Sequence, residues 1–147
     1  MDIKAEYRKK LTTPERAVEV VRSGDWVDYG WSTCAPVALD RALAARYEQL
    51  WDVKVRGAVL MERPAIFSVP ETERHFIWNS WHMSGLERRL ADEGLAYYIP
   101  LRYSELPRYY QENIPPLRAA LIQTAPMDED GYFSYGLNAS HLQAVLE

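Results

Sequence analysis

The feature that most constrains the fold is the alternation of short apolar runs with amphipathic helical stretches. Apolar runs rich in β-branched and aromatic residues are typical of strands, and alternation with helices is typical of parallel sheets, whose strands need crossover connections. We predict strands at residues 26–29, 53–60, 75–78, 95–99 and 119–125. The sequence therefore predicts one α/β domain over residues 1–147, with a mostly parallel sheet flanked by helices.

Start and stop signals place the helices. Thr13 is a candidate N-cap with Pro14 at the first helical position, and that helix is expected to end at Gly24. Ser84 and Glu87 have the spacing of a capping box for a helix that ends at Gly94. The other predicted helices are 37–47, 104–113 and 140–147. Two prolines in the segment 62–74 favour a loop or a weak edge segment there. The pair Asp130-Gly131 favours a turn.

The burial of three strands can be predicted from the same pattern. Lys54 and Arg56 indicate that one face of the strand at 53–60 reaches solvent. The short apolar run at 95–99 predicts a buried strand, and we predict a second buried strand at 119–125. The last helix has no closing signal before the sequence ends, which fits either an incomplete piece of a longer protein or a natural C-terminal helix.

Composition and charge exclude several functional classes. The net charge is −4 with a pI near 5.4, and basic residues are scattered, so we expect neither a nucleic acid nor an anionic membrane as partner. Cys34 is the only cysteine, which leaves no intrachain disulfide and no cysteine-based metal site. No signal peptide or membrane-spanning run is visible, so we expect a cytoplasmic protein. A small anionic substrate remains possible.

Ligands of open parallel sheets bind at the carboxyl ends of the strands. Two loops there supply the candidate binding residues, and the segments 100–104 and 124–127 follow two further strands. Backbone N–H groups at a helix start can hold a phosphate or an oxyanion, and small side chains let it approach, although the first loop also fits an ordinary turn. The candidates are Gly30, Ser32, Thr33, Cys34, Ala35 and Pro36 in the first loop, and Asn79 and His82 in the second.

For each potentially reactive side chain, a purely structural role is an alternative to a catalytic one. His82 is either a general acid or base or a packed histidine, and Cys34 is either a nucleophile with a nearby base or a buried filler. His75 and His141 belong to no visible constellation, and we expect the tyrosines between 97 and 110 to serve core and interface packing. No residue set forms a recognisable triad, metal site or phosphate loop.

Several motifs together resemble one known family. They are GDWVDYG at 24–30, PVALD at 36–40, NSWHMSG at 79–85, YYIPLRYSELP at 97–107, PMDEDGYF at 126–133 and ASH at 139–141. From Leu11 onward the chain resembles, in order, the start of the acetyl-CoA hydrolase/transferase family. Within it, the chain is most similar to the branch of 4-hydroxybutyrate and butyryl-CoA:acetate CoA-transferases. The resemblance implies a fold like the N-terminal domain of a CoA-transferase, here incomplete.

The resemblance also implies a mechanism. In this family a glutamate attacks the acyl-CoA thioester, and a mixed anhydride and then a glutamyl-CoA thioester form before the acceptor acid reacts. That glutamate and a second glycine-rich loop lie in the C-terminal half, to which no segment here corresponds. We therefore expect no catalytic residue in this chain, and no activity from it alone.

The implied partners follow from that mechanism. They are acyl-CoA and a short carboxylate such as acetate, a C-terminal CoA-transferase domain on the same or another chain, and a second copy in a homo-oligomer. Coenzyme A is a substrate, and no permanently bound cofactor or metal is implied. Ala35 stands where relatives often have glycine, which narrows the backbone freedom of the first loop.

Two other functions fit the same motifs. An acyl-CoA hydrolase of the same family would use water in place of the acceptor acid. A non-catalytic α/β module would bind a ligand or partner and be complete at this length.

Overall fold

Five parallel strands form the centre of the protein. The computed structural model describes residues 2–112 and 116–147. The strands are β1 (Trp26–Tyr29), β2 (Val53–Gly57), β3 (Phe76–Ser80), β4 (Ala96–Tyr98) and β5 (Ala119–Leu121). Their order across the sheet is β4-β3-β2-β1-β5, and every neighbouring pair runs parallel. The predicted α/β architecture with a parallel sheet is confirmed.

Short helices connect the strands. They are α1 (Ile3–Lys10), α2 (Pro14–Ala17), α3 (Val37–Ala44), α4 (Thr72–His75), α5 (Gly85–Asp92), α6 (Leu106–Glu112) and α7 (Leu142–Leu146). Across the two described stretches, no helix has the length and apolar character needed to cross a membrane.

Strand β1 shows that helices cover both faces of the sheet. The Tyr29 hydroxyl donates to Asp40 of α3 at 3.2 Å. The neighbouring residue Asp28 accepts a hydrogen bond from Tyr110 of α6. Since successive side chains of a strand point to opposite faces, α3 and α6 lie on opposite sides of the sheet.

The strand order also locates a crevice. The chain moves outward from β1 to β4 and then returns to place β5 on the other side of β1. In such sheets, ligands bind outside the carboxyl ends of the strands, close to the point where the order reverses. The carboxyl ends of β1 and its neighbours are therefore the place to look for a site.

The predicted capping box at the start of α5 is confirmed and has a wider role. Ser84 Oγ accepts from the Leu86 amide at 3.3 Å, and the Glu87 carboxylate accepts from the Ser84 amide at 2.6 Å. The same buried carboxylate accepts from the Ser80 hydroxyl at 3.0 Å and from the Leu60 amide at 3.3 Å. Glu87 therefore joins the end of β3, the loop after β2 and the start of α5.

The prediction that Arg56 faces solvent is wrong. Its side chain is 2% exposed, and its guanidinium lies 4.1 Å from the ring centre of Trp26. Burial lowers the pKa of Arg56, an effect that Tyr110 and Asp28 oppose. A planar guanidinium can stack on an aromatic ring, so an arginine can be buried at this position. A lysine could not stack in this way.

The prediction of buried strands at 95–99 and 119–125 is wrong for most of their residues, although Leu95, Ala96 and Leu121 are buried. Tyr97 and Tyr98 of β4 are 61% and 54% exposed, and Ala119 and Ala120 of β5 are half-buried. Both strands lie at an edge of the sheet, where each has one neighbour among the described strands. An apolar run does not reveal whether its strand is central or at an edge.

Several predicted helices are longer than the observed ones. The α2 helix ends at Ala17 and passes into a 3₁₀ turn over Val18–Val20, well before Gly24, and α3 ends at Ala44. The Arg46 side chain donates to the Val18 and Val21 carbonyls, which satisfies acceptors at the end of the first of these segments. The remaining strand limits also shift by a few residues, because such boundaries have weak local signals.

In other segments the observed secondary structure differs from the predicted type or was not predicted. The predicted loop at 62–74 contains a 3₁₀ turn, Ala65–Ser68, and most of α4, while the final helix begins at Leu142. The last residue of the predicted helix 104–113 lies outside the described residues. Helix α1 was not predicted, although Asp2 is its N-cap and accepts from the Ala5 amide at 3.1 Å.

We expect Glu87→Ala to lower the free energy of unfolding by about 2–3 kcal/mol. Each buried donor left without an acceptor costs roughly 1–3 kcal/mol, and water compensates only part of the loss. Urea denaturation followed by circular dichroism measures the change. Asp92→Ala on the exposed side of the same helix is the control, with an expected change within about 0.5 kcal/mol. Equal effects of both variants would contradict the joining role of Glu87.

Candidate functional site

A cavity of about 530 Å³ lies at the carboxyl edge of the sheet. Residues that follow four of the strands line it, together with Leu106 of α6: Trp31 and Ser32 after β1, Val59 after β2, Trp81 and His82 after β3, and Tyr98, Leu101, Arg102 and Tyr103 at and after β4. Asn138 and Ser140, which precede α7, complete the lining. The four segments at the strand ends are distant in sequence, and they meet because all the strands point to the same edge.

The lining combines an apolar floor with a polar rim. Trp31, Trp81 and Leu106 are buried and pack in one cluster. Arg102 and His82 are exposed members of the lining. An arginine beside an apolar cavity can bind a carboxylate or phosphate through two parallel hydrogen bonds. The cavity can therefore accept a ligand with an apolar part and an anionic part.

Unusual backbone conformations concentrate at this cavity. Five non-glycine residues in the described part of the chain have positive φ, and three of them line the cavity: Ser32 at 50°, Val59 at 53° and Ser140 at 39°. Such conformations cost of order 1–3 kcal/mol each, and a β-branched valine rarely adopts them. Their clustering at one cavity is typical of a functional site.

The structure brings only part of the sequence-predicted set together. Ser32 and His82 line the cavity, whereas Thr33 is exposed outside the lining. Asn79 also lies outside it, and its side-chain amide donates to the Ile77 carbonyl at 3.3 Å. Asn79 lies within β3 and not in the loop that follows it. It is aligned across the sheet with Arg56 and Asp28, so its side chain faces the α6 side.

Gly30 has a structural explanation. A Cβ atom at this position would lie 2.3 Å from the carbonyl oxygen of Cys34, so the tight turn after β1 requires glycine. The Gly30 amide donates to the Leu121 carbonyl at 3.0 Å. Gly30 thus shapes the loop that presents Ser32 to the cavity.

The rest of the first loop is bound within the protein. The sulfur of the buried Cys34 thiol lies 3.0 and 3.1 Å from the carbonyl oxygens of Tyr135 and Asn138, which share its one hydrogen as acceptors, and this agrees with a filler role. The Cys34 and Ala35 amides donate to the Trp31 and Ser32 carbonyls. Those amides are therefore engaged in the turn.

Ala35 and Pro36 line a second cavity of about 20 Å³. At that volume it is close to the size of a single water molecule, so it does not admit an organic ligand.

The histidines divide between core and site. His75 is buried and its Nδ1 lies 2.7 Å from the Leu50 carbonyl, which is a packed position. His141 is 2% exposed, and its Nε2 lies 3.1 Å from Asp28 Oδ1. The expectation that His141 belongs to no constellation is therefore wrong. The two residues are far apart in sequence, and only the parallel sheet brings α7 beside β1.

Tyr110 extends this contact into a network. Its hydroxyl donates to Asp28 and accepts from Trp81 Nε1 at 2.9 Å. Burial raises the pKa of Tyr110, and the nearby Asp28 carboxylate raises it further. Tyr110 is therefore a neutral donor at physiological pH. We call Asp28, His141, Tyr110 and Trp81 the Asp28 network.

A parallel sheet with a mixed apolar and polar cavity at its carboxyl edge is typical of ligand-binding α/β domains. The model of the acetyl-CoA hydrolase/transferase N-terminal domain matches residues 1–147, and the chain belongs to this family.

Relatives with assigned activities support that membership. The chain is 51% identical to a butyryl-CoA:acetate CoA-transferase of Anaerostipes caccae over its full 147 residues. It is 37% identical over 142 residues to a probable butyrate:acetyl-CoA coenzyme A-transferase of Syntrophomonas wolfei. The alignments cover 100% and 97% of this chain but only 33% and 32% of those proteins. The chain thus spans about a third of the length of the curated relatives it matches.

Solved structures agree with the fold. RipA from Yersinia pestis is 30% identical and superimposes with a TM-score of 0.85, over 99% of this chain and 36% of RipA. A 4-hydroxybutyrate CoA-transferase from Porphyromonas gingivalis has a TM-score of 0.68 over 97% of this chain and 32% of its own. At 20% identity, that second likeness supports the fold alone.

We expect Gly30→Ala to lower the free energy of unfolding by about 2–3 kcal/mol, since overpacking against a backbone carbonyl forces the loop to move. Gly85→Ala is the matched control, because its added Cβ would have no atom of residues 2–112 or 116–147 within 4 Å. That variant should be neutral or stabilising by up to about 1 kcal/mol. Denaturant unfolding of both variants measures the difference, and an unaffected Gly30→Ala protein would contradict the packing role.

Proposed function

We propose that this chain supplies one side of the acyl-CoA site of a CoA-transferase and acts together with a C-terminal CoA-transferase domain. The observation that supports this is the lining of the large cavity: among the described residues it includes an arginine, hydroxyl groups and two indoles but no carboxylate. In this proposal the nucleophilic glutamate comes from the other domain. The identity to a butyryl-CoA:acetate CoA-transferase supports butyryl-CoA and acetate as the substrate pair.

The side chains of the cavity have distinct parts in this proposal. Trp31 and Trp81 contact the acyl chain, which their apolar surfaces take out of water. Arg102 pairs with the carboxylate of the acid substrate or with a phosphate of coenzyme A. Ser32 and His82 offer hydrogen bonds at the rim. Gly30, Cys34, Ala35 and Pro36 keep the first loop in shape, while Thr33 and Asn79 have no assigned contact.

The chemistry requires a carboxylate nucleophile, which in this proposal the partner domain supplies. The glutamate of the partner domain attacks the thioester carbonyl, and the carbon–sulfur bond breaks as a mixed anhydride forms. The released thiolate then attacks the glutamyl carbonyl, which expels the product acid and leaves a glutamyl-CoA thioester. The acceptor acid reverses these steps and regenerates the free glutamate. This chain would hold the acyl group and coenzyme A during both halves, which orients the reacting atoms.

Hydrolysis is the second candidate function. Water would then replace the acceptor acid, and the cavity would have to admit water next to the thioester intermediate. The family includes both activities in its name, and the cavity lining fits either reaction. Acetate dependence separates the two.

We expect the chain to be inactive alone and active once combined with the C-terminal part of a butyryl-CoA:acetate CoA-transferase. The measurement is loss of butyryl-CoA and gain of acetyl-CoA, by chromatography, with and without acetate. Acetate-dependent exchange supports the transferase, and acetate-independent thioester loss supports the hydrolase. Turnover of butyryl-CoA by the isolated chain would contradict the proposal.

In the combined protein, Arg102→Ala is expected to raise the KM for its anionic substrate about tenfold or more. A hydrogen bond to a charged group contributes about 1.5–3 kcal/mol, which corresponds to that range. Arg89→Ala, on the exposed surface of α5, is the control with an unchanged KM. The same KM in both variants would contradict the proposal that Arg102 binds the substrate.

A further inference from the structure

A buried carboxylate lies directly behind the large cavity. Asp28 of β1 is fully buried on the α6 side of the sheet. One of its oxygens is 3.1 Å from His141 Nε2, and the other accepts from the Tyr110 hydroxyl. A buried carboxylate is stable only while its hydrogen bonds are made, so both donors are constrained to their present positions.

Each donor is in turn attached to a side of the cavity. The Tyr110 hydroxyl accepts from Trp81 Nε1 at 2.9 Å. The His141 ring packs against the Trp31 ring with 4.7 Å between their centres. Trp31 and Trp81 are the two indoles of the cavity lining. The carboxylate thus links two indoles that follow different strands.

A third part of the lining is connected through the backbone. Ser140 precedes His141, lines the cavity and has a positive φ of 39°. Its Oγ accepts from the Tyr103 hydroxyl at 2.9 Å, and Tyr103 also lines the cavity. The position of His141 therefore affects Ser140 and Tyr103 as well.

We propose that Asp28, His141 and Tyr110 are positioning residues, which fix the two indoles and thereby set the affinity of the cavity for the acyl group. This inference rests on the proposed function, because it takes the cavity to be the acyl site. None of the three needs to touch the substrate. Their loss would loosen Trp31 and Trp81, so it would weaken binding and reduce discrimination between acyl chains of different length.

The other face of β1 offers a matched comparison. Tyr29 donates to the buried Asp40 at 3.2 Å, so β1 carries a tyrosine–aspartate hydrogen bond on each face. Neither Tyr29 nor Asp40 lines the large cavity. Tyr110→Phe and Tyr29→Phe each remove one such hydroxyl, and only the first should affect the cavity.

The kinetic test uses the chain combined with the C-terminal domain, and acetyl-, butyryl- and hexanoyl-CoA as substrates. Tyr110→Phe should raise the KM for butyryl-CoA at least fivefold with kcat within twofold, and bring the three KM values closer together. Tyr29→Phe should leave the KM values unchanged. His141→Gln, which keeps an N–H donor, should retain more affinity than His141→Ala. Equal KM values for Tyr110→Phe and the unaltered protein would overturn the inference.

A second measurement does not depend on activity. In the isolated chain labelled with 5-fluorotryptophan, the Trp31 fluorine resonance should shift or broaden in Tyr110→Phe and stay unchanged in Tyr29→Phe. Trp31 is the informative residue, because its ring packs on His141, which in turn contacts both Asp28 and the Tyr110 ring. An unchanged Trp31 resonance overturns the inference. If the combined unaltered protein shows no turnover while this resonance responds, the proposed function fails and the positioning of the indoles stands.

Discussion

The site depends on all five strands of the sheet running in one direction. Parallel strands bring their carboxyl ends to a single edge, so the loops after β1, β2, β3 and β4 meet around one cavity. None of these loops forms a site alone, because each contributes only a part of the lining. The polar and apolar parts of the cavity therefore exist only once the sheet has formed. Changes that affect strand pairing would affect the site even when they lie far from it.

Strand β1 has the largest share in this arrangement. It is paired on both sides, by β2 and by β5. Its neighbouring residues Asp28 and Tyr29 make buried hydrogen bonds to helices on opposite faces. The loop that follows it turns at Gly30 and brings Trp31 and Ser32 to the cavity. One short strand thus ties both helical layers to the site.

Much of the fold could be predicted from the sequence, because its signals are local. The β1 strand, the Thr13 cap and the capping box at Ser84 and Glu87 depend on residues a few positions apart. The solvent-facing prediction for Arg56 failed because charge normally indicates exposure, and a stacked guanidinium is an exception to that pattern. The edge positions of β4 and β5 depend on strand order, which no local pattern contains.

The site was predictable to a smaller degree. The loops at the strand ends were found, and Ser32 and His82 do line the cavity. Trp31, Arg102 and Ser140 were not singled out, because their sequence surroundings do not distinguish them from packing residues. The Asp28 and His141 pair joins opposite ends of the chain. A general rule that strand ends bind ligands locates an edge, but it cannot choose the side chains that share it.

The stacking of Arg56 on Trp26 means that the position selects for molecular shape as much as for charge. A lysine there would keep the positive charge, yet its tetrahedral ammonium cannot lie flat against an indole and would stay poorly solvated. A flat, uncharged glutamine would fill the gap with less electrostatic penalty. Among homologous sequences, an exchange that is usually regarded as conservative should therefore be rarer at this position than one that discards the charge.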